Sequence, residues 1–130
     1  MKAKNLILIV ALFLYCTACK KEKPFHVIDY SGDYLTLKTK ETQYFGEPSR
    51  SHDTIEIVHV TVIDTSHIQI FDLKLTFDSE TKKFQMNSTL NQGARYRYFT
   101  GYFVEDSIYI SSFIGGLSGG TSIRYKGKKI

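Results

Sequence analysis

Residue types that support catalysis occur in this chain, but their spacing does not assemble a reaction site. Ser51, His52 and Asp53 are the three residue types of a hydrolytic triad. Consecutive side chains of an extended segment point to opposite sides, whereas a triad needs side chains that converge from separate positions. We interpret the stretch as a polar loop before a strand. We predict no catalytic residue and expect a protein that is not an enzyme.

The four histidines lack the paired spacing of a metal site. Acidic residues near two of them favour surface ion pairs instead. Across a turn at residues 65–66, His67 would lie opposite Asp64, and His59 would lie near Asp72. Neither a metal nor a cofactor is predicted.

The segment 113–120 has the glycine content of a phosphate-binding loop. Such a loop needs a helix N-terminus directly after it. Residues 122–125 have the pattern of a strand instead, so a flexible hairpin loop is predicted.

Two stretches are better candidates for ligand binding, and the first is a long interruption between strands. Residues 39–53 form the longest break in the strand pattern and contain Tyr44 and Phe45. Long loops in compact domains are often functional, so this loop is a candidate lid. A disordered insertion is the alternative.

The second candidate is the run Arg95, Tyr96, Arg97 and Tyr98. Alternating basic and aromatic side chains can hold anionic or sugar-like ligands by charge and stacking. The alternative is a strand whose tyrosines pack inward and whose arginines face solvent.

The elements that would position these residues are strands. Beyond residue 24 no helical period occurs, and apolar residues alternate in runs separated by turn residues. Turns are predicted at 64–66, 78–82 and 105–106, with a bulge or corner at 71–72. The pattern predicts seven or eight antiparallel strands in a meander.

Such a meander leaves two bare edges unless it closes into a barrel. Eight strands enclose a space that side chains fill or that one small ligand occupies. The predicted fold class is all-β, with a single barrel domain over residues 29–130 after an N-terminal signal helix.

The first residues indicate export. An apolar run, 6–15, follows two lysines and is about half as long as a membrane-spanning helix requires. Thr17, Ala18 and Cys19 come next. This arrangement resembles a bacterial lipoprotein signal, with an ordinary secretory signal and an uncleaved anchor as alternatives.

The resemblance implies a signal peptide over residues 1–18 and a lipidated cysteine and tether over 19–28, with Cys19 as the acylated residue. Cys16 is a poorer acceptor because the bulky Tyr15 precedes it. Lys20, rather than Asp, follows Cys19, which favours the outer membrane. The expected location is therefore the cell envelope, with the membrane bound through the lipid anchor.

Processing before Cys19 changes the charge and the cysteine content. The chain has two cysteines, so the processed domain has no disulfide and no cysteine metal site. Of 17 basic residues Lys2 and Lys4 leave with the signal, so 15 remain against 13 acidic ones. This balance does not predict the one-sided positive face of a nucleic-acid binder.

Three short motifs carry a resemblance to small lipocalin-like (calycin-like) lipoproteins of the Bacteroidetes. They are the opening 30–34, the hairpin 101–108 and the closing segment 125–129, with Tyr34 where true lipocalins have tryptophan. The resemblance implies a barrel whose first long loop covers the open end.

We therefore expect a non-enzymatic barrel that binds a small apolar or amphipathic ligand beneath residues 39–53. The alternative is a protein-interaction module of the envelope, such as an inhibitor or an accessory subunit. An exposed aromatic patch around Tyr44, Phe45 and Tyr98 would favour that alternative.

Overall fold

Eight antiparallel strands form a closed barrel in the computed structural model, which describes residues 30–86 and 95–130. Each strand pairs with the next along the chain, and the last pairs with the first. The predicted all-β meander is confirmed. The signal peptide, Cys19 and the tether lie outside the described residues. The strands are β1 (Gly32–Tyr44), β2 (Arg50–Asp64), β3 (His67–Ile70), β4 (Leu73–Asp78), β5 (Lys83–Gln85), β6 (Arg95–Val104), β7 (Ser107–Gly116) and β8 (Gly119–Lys129).

Aromatic side chains fill the barrel interior. Phe103 lies at the centre of this packing, because its ring contacts those of Tyr30, Tyr34, Phe77 and Phe84. An eight-stranded barrel is narrow enough for side chains to fill it completely. The core consists of Tyr30, Tyr34, Val58, Val60, Ile68, Ile70, Leu75, Phe77, Phe84, Phe99, Phe103, Ile108, Ile110 and Tyr125.

On β1, the residues that point into the barrel are not the ones that hydrophobicity alone would favour. Tyr34 and Thr36 are buried, whereas Leu35 and Leu37 between them are half exposed. The buried Thr36 hydroxyl has a hydrogen-bond partner, because it donates to the backbone oxygen of Glu56 at 2.7 Å. Because strand side chains alternate, burying Tyr34 necessarily places both leucines on the outside.

The barrel wall has unequal height. Strands β3, β4 and β5 have only three to six residues, whereas the other five have 10 to 15. We call the end that contains Tyr30 the lower end, and the end that contains the β1–β2 and β7–β8 turns the upper end. The tall strands rise past the core at the upper end, so within residues 30–86 and 95–130 no strand covers their inner face above the short strands.

Two predicted loops are mostly strand. Within 39–53, only residues 45–49 lie outside β1 and β2, so the predicted lid is a short turn at the end of a long hairpin. Within 113–120, only residues 117–118 lie outside β7 and β8. The predicted corner at 71–72 is a two-residue hairpin turn with Phe71 at φ 54°. The irregularity between neighbouring strands lies instead between Val62 and Asp64.

No helix within residues 30–86 and 95–130 is both long and apolar enough to span a membrane.

Candidate functional site

The open upper end contains a depression with a volume of about 610 Å³, which we call the upper trough. Its wall combines apolar and polar side chains from β1, β7 and β8. Ile114 and Ile123 supply apolar surface, and Lys40 and Thr121 supply a cation and a hydroxyl. A volume of this size suits a small ligand, and the mixed wall suits an amphipathic one.

Strand register brings these side chains together. Ile114 pairs with Thr121 across β7 and β8, and Thr121 pairs with Thr42 across β8 and β1. Lys40 and Ile123 are each two residues closer to the core on the same inward face, and they pair with each other across β1 and β8. Since alternate residues of a strand share a face, this cluster continues the inward face defined by the buried Tyr125 and Tyr34.

The rim of the upper trough is a pair of adjoining hairpin turns. The Phe45 amide donates a hydrogen bond to the Ser118 carbonyl oxygen at 2.8 Å, so the two turns are held together. Gly119 sits where they meet, at φ 129°, and a Cβ there would overlap the backbone of Gln43. Glycine is therefore required for the close approach of the two hairpins.

A charged pair lies directly below the upper trough. The Lys38 ammonium is 2.7 Å from a carboxylate oxygen of Glu56, and both side chains are partly shielded from solvent. The hydrogen bond that Lys38 donates to this carboxylate raises the pKa of Lys38. Lys38 also lies over the ring of Tyr125, 5.5 Å from its centroid. Burial raises the pKa of the Tyr125 phenol.

Arg97 adds a third cation to the inner face, after Lys38 and Lys40. It pairs with Ile114 across β6 and β7. Its Nε atom is buried and has no hydrogen-bond partner among the described residues. Together with Lys40, it makes the inner face near the trough more basic than acidic, with Glu56 already paired to Lys38.

Among the predicted binding residues whose side chains the structure describes, Tyr44 and Arg97 are on the inner side of the barrel wall and Tyr98 is on the outer side. Tyr44 lines the upper trough. Phe45 is 93 % exposed at the rim, where the prediction placed part of a lid. Tyr98 lies outside, stacked on Phe113 with ring centroids 5.9 Å apart. The structure therefore does not unite Tyr98 with Tyr44 in one site.

The orientation of β6 is the opposite of the one in the alternative with solvent-facing arginines. That alternative placed the tyrosines inward, but Tyr98 and Tyr102 are on the outer surface and Phe99 is buried. Arg97 shares the inner face with Phe99 because the two are separated by one residue. Arg95 and Tyr96 form backbone pairs with Gly116 and Gly115 at the start of β6.

One of the two predicted Asp–His pairs is present. His67 Nδ1 lies 2.8 Å from Asp64, as predicted. His59 contacts Asp33 at 2.5 Å instead of Asp72, because Asp33 and His59 are directly opposed in the β1–β2 register. Within residues 30–86 and 95–130, no three His, Cys, Asp or Glu side chains are close enough to hold a metal ion.

No protein-family model, curated protein or solved structure matches this chain. The functional inference therefore rests on the geometry of the barrel.

The sequence alone does not predict most of the trough. Lys40 falls at the edge of the predicted loop 39–53, Ile114 falls in the predicted loop 113–120, and Thr121 directly follows that loop. The two-residue spacing of Lys38, Lys40 and Thr42 is the pattern that extends β1 beyond its buried part.

Proposed function

We propose that this protein is a lipocalin-like envelope lipoprotein, anchored through Cys19, that binds a small amphipathic ligand in the upper trough. The observation that supports this most directly is an open depression of about 610 Å³ above a filled core. The ligand would sit at the mouth of the barrel rather than deep inside it, since aromatic side chains occupy the interior.

The chemistry of the trough supports an amphipathic ligand. Ile114 and Ile123 would contact its apolar part, and Lys40 and Thr121 would contact its polar part. Small-molecule sites commonly combine apolar walls with a few placed polar groups. Tyr44 adds an aromatic edge to the same depression.

Native mass spectrometry tests this proposal. The full-length protein, processed by the bacterium that expresses it, is incubated with an extract of envelope lipids and small metabolites. We expect a discrete non-covalent adduct with the unmodified protein and none with Ile114→Asp. A bare protein mass throughout would overturn ligand binding.

Ile63→Asp is the matched control for that experiment. Ile63 and Ile114 are the same residue type with similar exposure, 44 % and 47 %, but Ile63 lies near the lower end. The adduct should survive in this variant. Its loss there would mean that a charged surface residue disturbs the barrel generally.

The adjoining turns support a second candidate function, a protein-interaction module. Phe45 and Leu117 are 93 % and 97 % exposed, and the Phe45–Ser118 backbone hydrogen bond holds their turns together. Two large apolar side chains presented on one rigid rim suit an apolar groove on a partner protein.

Site-specific photocrosslinking distinguishes this second function. A photoreactive phenylalanine analogue placed at Phe45 should give a discrete crosslinked protein in the envelope. The same analogue at the exposed Gln69, on the short-strand wall, should give none. Equal labelling at both positions would remove the case for a partner at the rim.

A further inference from the structure

The outer wall of the barrel has an apolar surface that the proposed ligand site does not use. Leu35 is paired with Ile57, and Leu37 with Ile55, across β1 and β2. All four aliphatic side chains point outward and are about half exposed or more, with Ile55 at 76 %. Such a cluster has no packing role within the barrel and costs hydration free energy while it faces water.

The neighbouring strand adds cations to this surface. Lys126 is opposite Leu37, and Lys128 is opposite Leu35, across β1 and β8. The Lys126 ammonium lies over the ring of Tyr109, 5.6 Å from its centroid. Tyr109 in turn stacks on Tyr102 at 4.9 Å.

We define the outer strip as Leu35, Leu37, Ile55, Ile57, Tyr109 and Lys126. A depression of about 480 Å³ runs beside it, bordered by Leu37, Tyr102 and Lys126. Lys128 forms an ion pair with Asp106 at 3.7 Å, but Lys126 has no carboxylate partner within the described residues. The nearest carboxylates on the same outward faces of β1 and β2 are Asp33, which pairs with His59, and Asp53.

We propose that the outer strip lies against the surface of an anionic phospholipid bilayer. Aliphatic side chains, tyrosines and a lysine on one face are the combination that fits the boundary between acyl chains and headgroups. The unpaired charge of Lys126 complements lipid phosphates, because cations near an anionic surface are attracted to it.

The attachment point of the chain is compatible with this contact, which here rests on the proposed anchor at Cys19. Ten residues separate Cys19 from Tyr30. Fully extended, they span at most about 35 Å. Leu35 is five residues after Tyr30, or at most about 17 Å from it. An anchored barrel therefore stays close enough to the bilayer for the strip to reach it.

A tryptophan reporter tests the contact, because the chain contains no tryptophan. Ile55→Trp places the reporter in the outer strip at an exposed position, and Gln69→Trp places it at an exposed position of β3, outside the strip. Each full-length processed protein is incorporated into phosphatidylcholine vesicles with or without phosphatidylglycerol. Brominated acyl chains quench only an indole that reaches them.

In vesicles with phosphatidylglycerol, we expect the Ile55→Trp emission to shift to shorter wavelength and to be quenched. The Gln69→Trp emission should remain unchanged. Adding Lys126→Glu to Ile55→Trp should abolish the shift. Each basic residue near an anionic bilayer raises the partition coefficient onto that bilayer about fivefold. Lys74→Glu, an equal charge change on the short-strand wall, should leave the shift intact.

Other outcomes overturn the bilayer contact. Equal quenching at both positions, or none at Ile55→Trp, would do so. A shift without vesicles that grows with protein concentration would assign the strip to a second copy, and one that requires an added acidic protein would assign it to a protein partner. Flotation separates failure of the bilayer contact from failure of the proposed anchor at Cys19. If the protein floats with vesicles while Ile55→Trp stays unquenched, the anchor is present and the strip does not contact the bilayer. If the protein does not float, the anchor itself is absent.

Discussion

The buried hydroxyl of Tyr34 donates a hydrogen bond to the backbone oxygen of Tyr30, at 2.9 Å. This bond closes the lower end of the barrel, because Tyr30 precedes β1 and stacks on Phe103 with ring centroids 4.2 Å apart. Tyr30, which precedes the barrel strands, is therefore part of the core.

We predict that Tyr34→Phe lowers the free energy of unfolding by about 1–2 kcal/mol, because the buried Tyr30 carbonyl loses its donor. The expected fall in Tm is about 5–10 °C for a domain of this size. Thermal denaturation followed by circular dichroism measures it. Tyr102→Phe, which removes a hydroxyl from the half-exposed outer wall, should change Tm little; an equal fall in both variants would contradict the prediction.

The same phenol predicts a loss of stability in alkali. Burial, and then the neighbouring Tyr30 and Asp106, raise the pKa of Tyr34 from 10.0 to about 12. Below pH 10 the phenol is protonated in both states, so its contribution is complete. Above pH 10 the unfolded chain ionises first, and stability falls until about pH 12. Unfolding midpoints in urea from pH 9 to 12 should show a steeper fall for the unmodified protein than for Tyr34→Phe.

The strands that could be predicted from sequence are those with one buried face. Val58 and Val60 alternate with solvent-facing residues, and the period of two follows directly. Residues 39–44 lack this signal because both of their faces are polar, one toward solvent and one toward the open trough. Glycines pair opposite each other at the end of β7 and the start of β8, so that hairpin carries little alternation.

The site could not be predicted because register, rather than proximity in sequence, creates it. Lys40 and Ile123 are 83 positions apart and become direct partners only when β1 closes against β8. The face of β6 was equally ambiguous, since phenylalanines and tyrosines alternate with the same period. Phe99 and Phe103 fill the core, while the tyrosines stack on β7 from outside.

The Lys38–Glu56 pair should contribute a measurable coupling. Its 2.7 Å contact is only partly shielded, so solvent screening limits the coupling free energy that we expect in a double-mutant cycle of Lys38→Met and Glu56→Gln to about 0.5 kcal/mol. Urea unfolding at low and high salt measures it, with a smaller value at high salt. Lys40→Met combined with Glu56→Gln is the control, and we expect additive effects there. A coupling equal to that of the Lys38 pair would contradict the assignment.

The β2–β3 turn should limit stability in acid. The amide of Ser66 and then the imidazole of His67 hydrogen-bond to Asp64 and lower its pKa from 3.8 to about 2. This contribution is complete above about pH 4 and is lost as the pH falls toward 2, because protonation then favours the unfolded chain. We predict that Asp64→Ala flattens the fall of Tm between pH 4 and 2. Asp72→Ala, in the next turn, should leave that fall unchanged; a flattening there too would assign the effect to general surface charge.

Gly101 is the position where a single methyl group should be most disruptive. A Cβ there would overlap the ring of Phe84 and the carbonyl oxygen of Tyr109. Phe84 is fully buried, so it cannot move without disturbing the aromatic core. We predict that Gly101→Ala lowers the free energy of unfolding by about 2–3 kcal/mol, measured by urea denaturation.

Two companion variants make the cause of that loss testable. In Gly101→Ala/Phe84→Leu the smaller side chain vacates part of the overlapping space, so the double variant should be more stable than the sum of the two single changes predicts. Gly46→Asn adds a side chain in the β1–β2 turn, where no atom lies within 4 Å of a Cβ, and asparagine tolerates its φ of 81°. The urea midpoint of Gly46→Asn should lie near that of the unmodified protein. Strict additivity at positions 84 and 101 would mean that the ring of Phe84 is not what excludes the methyl group.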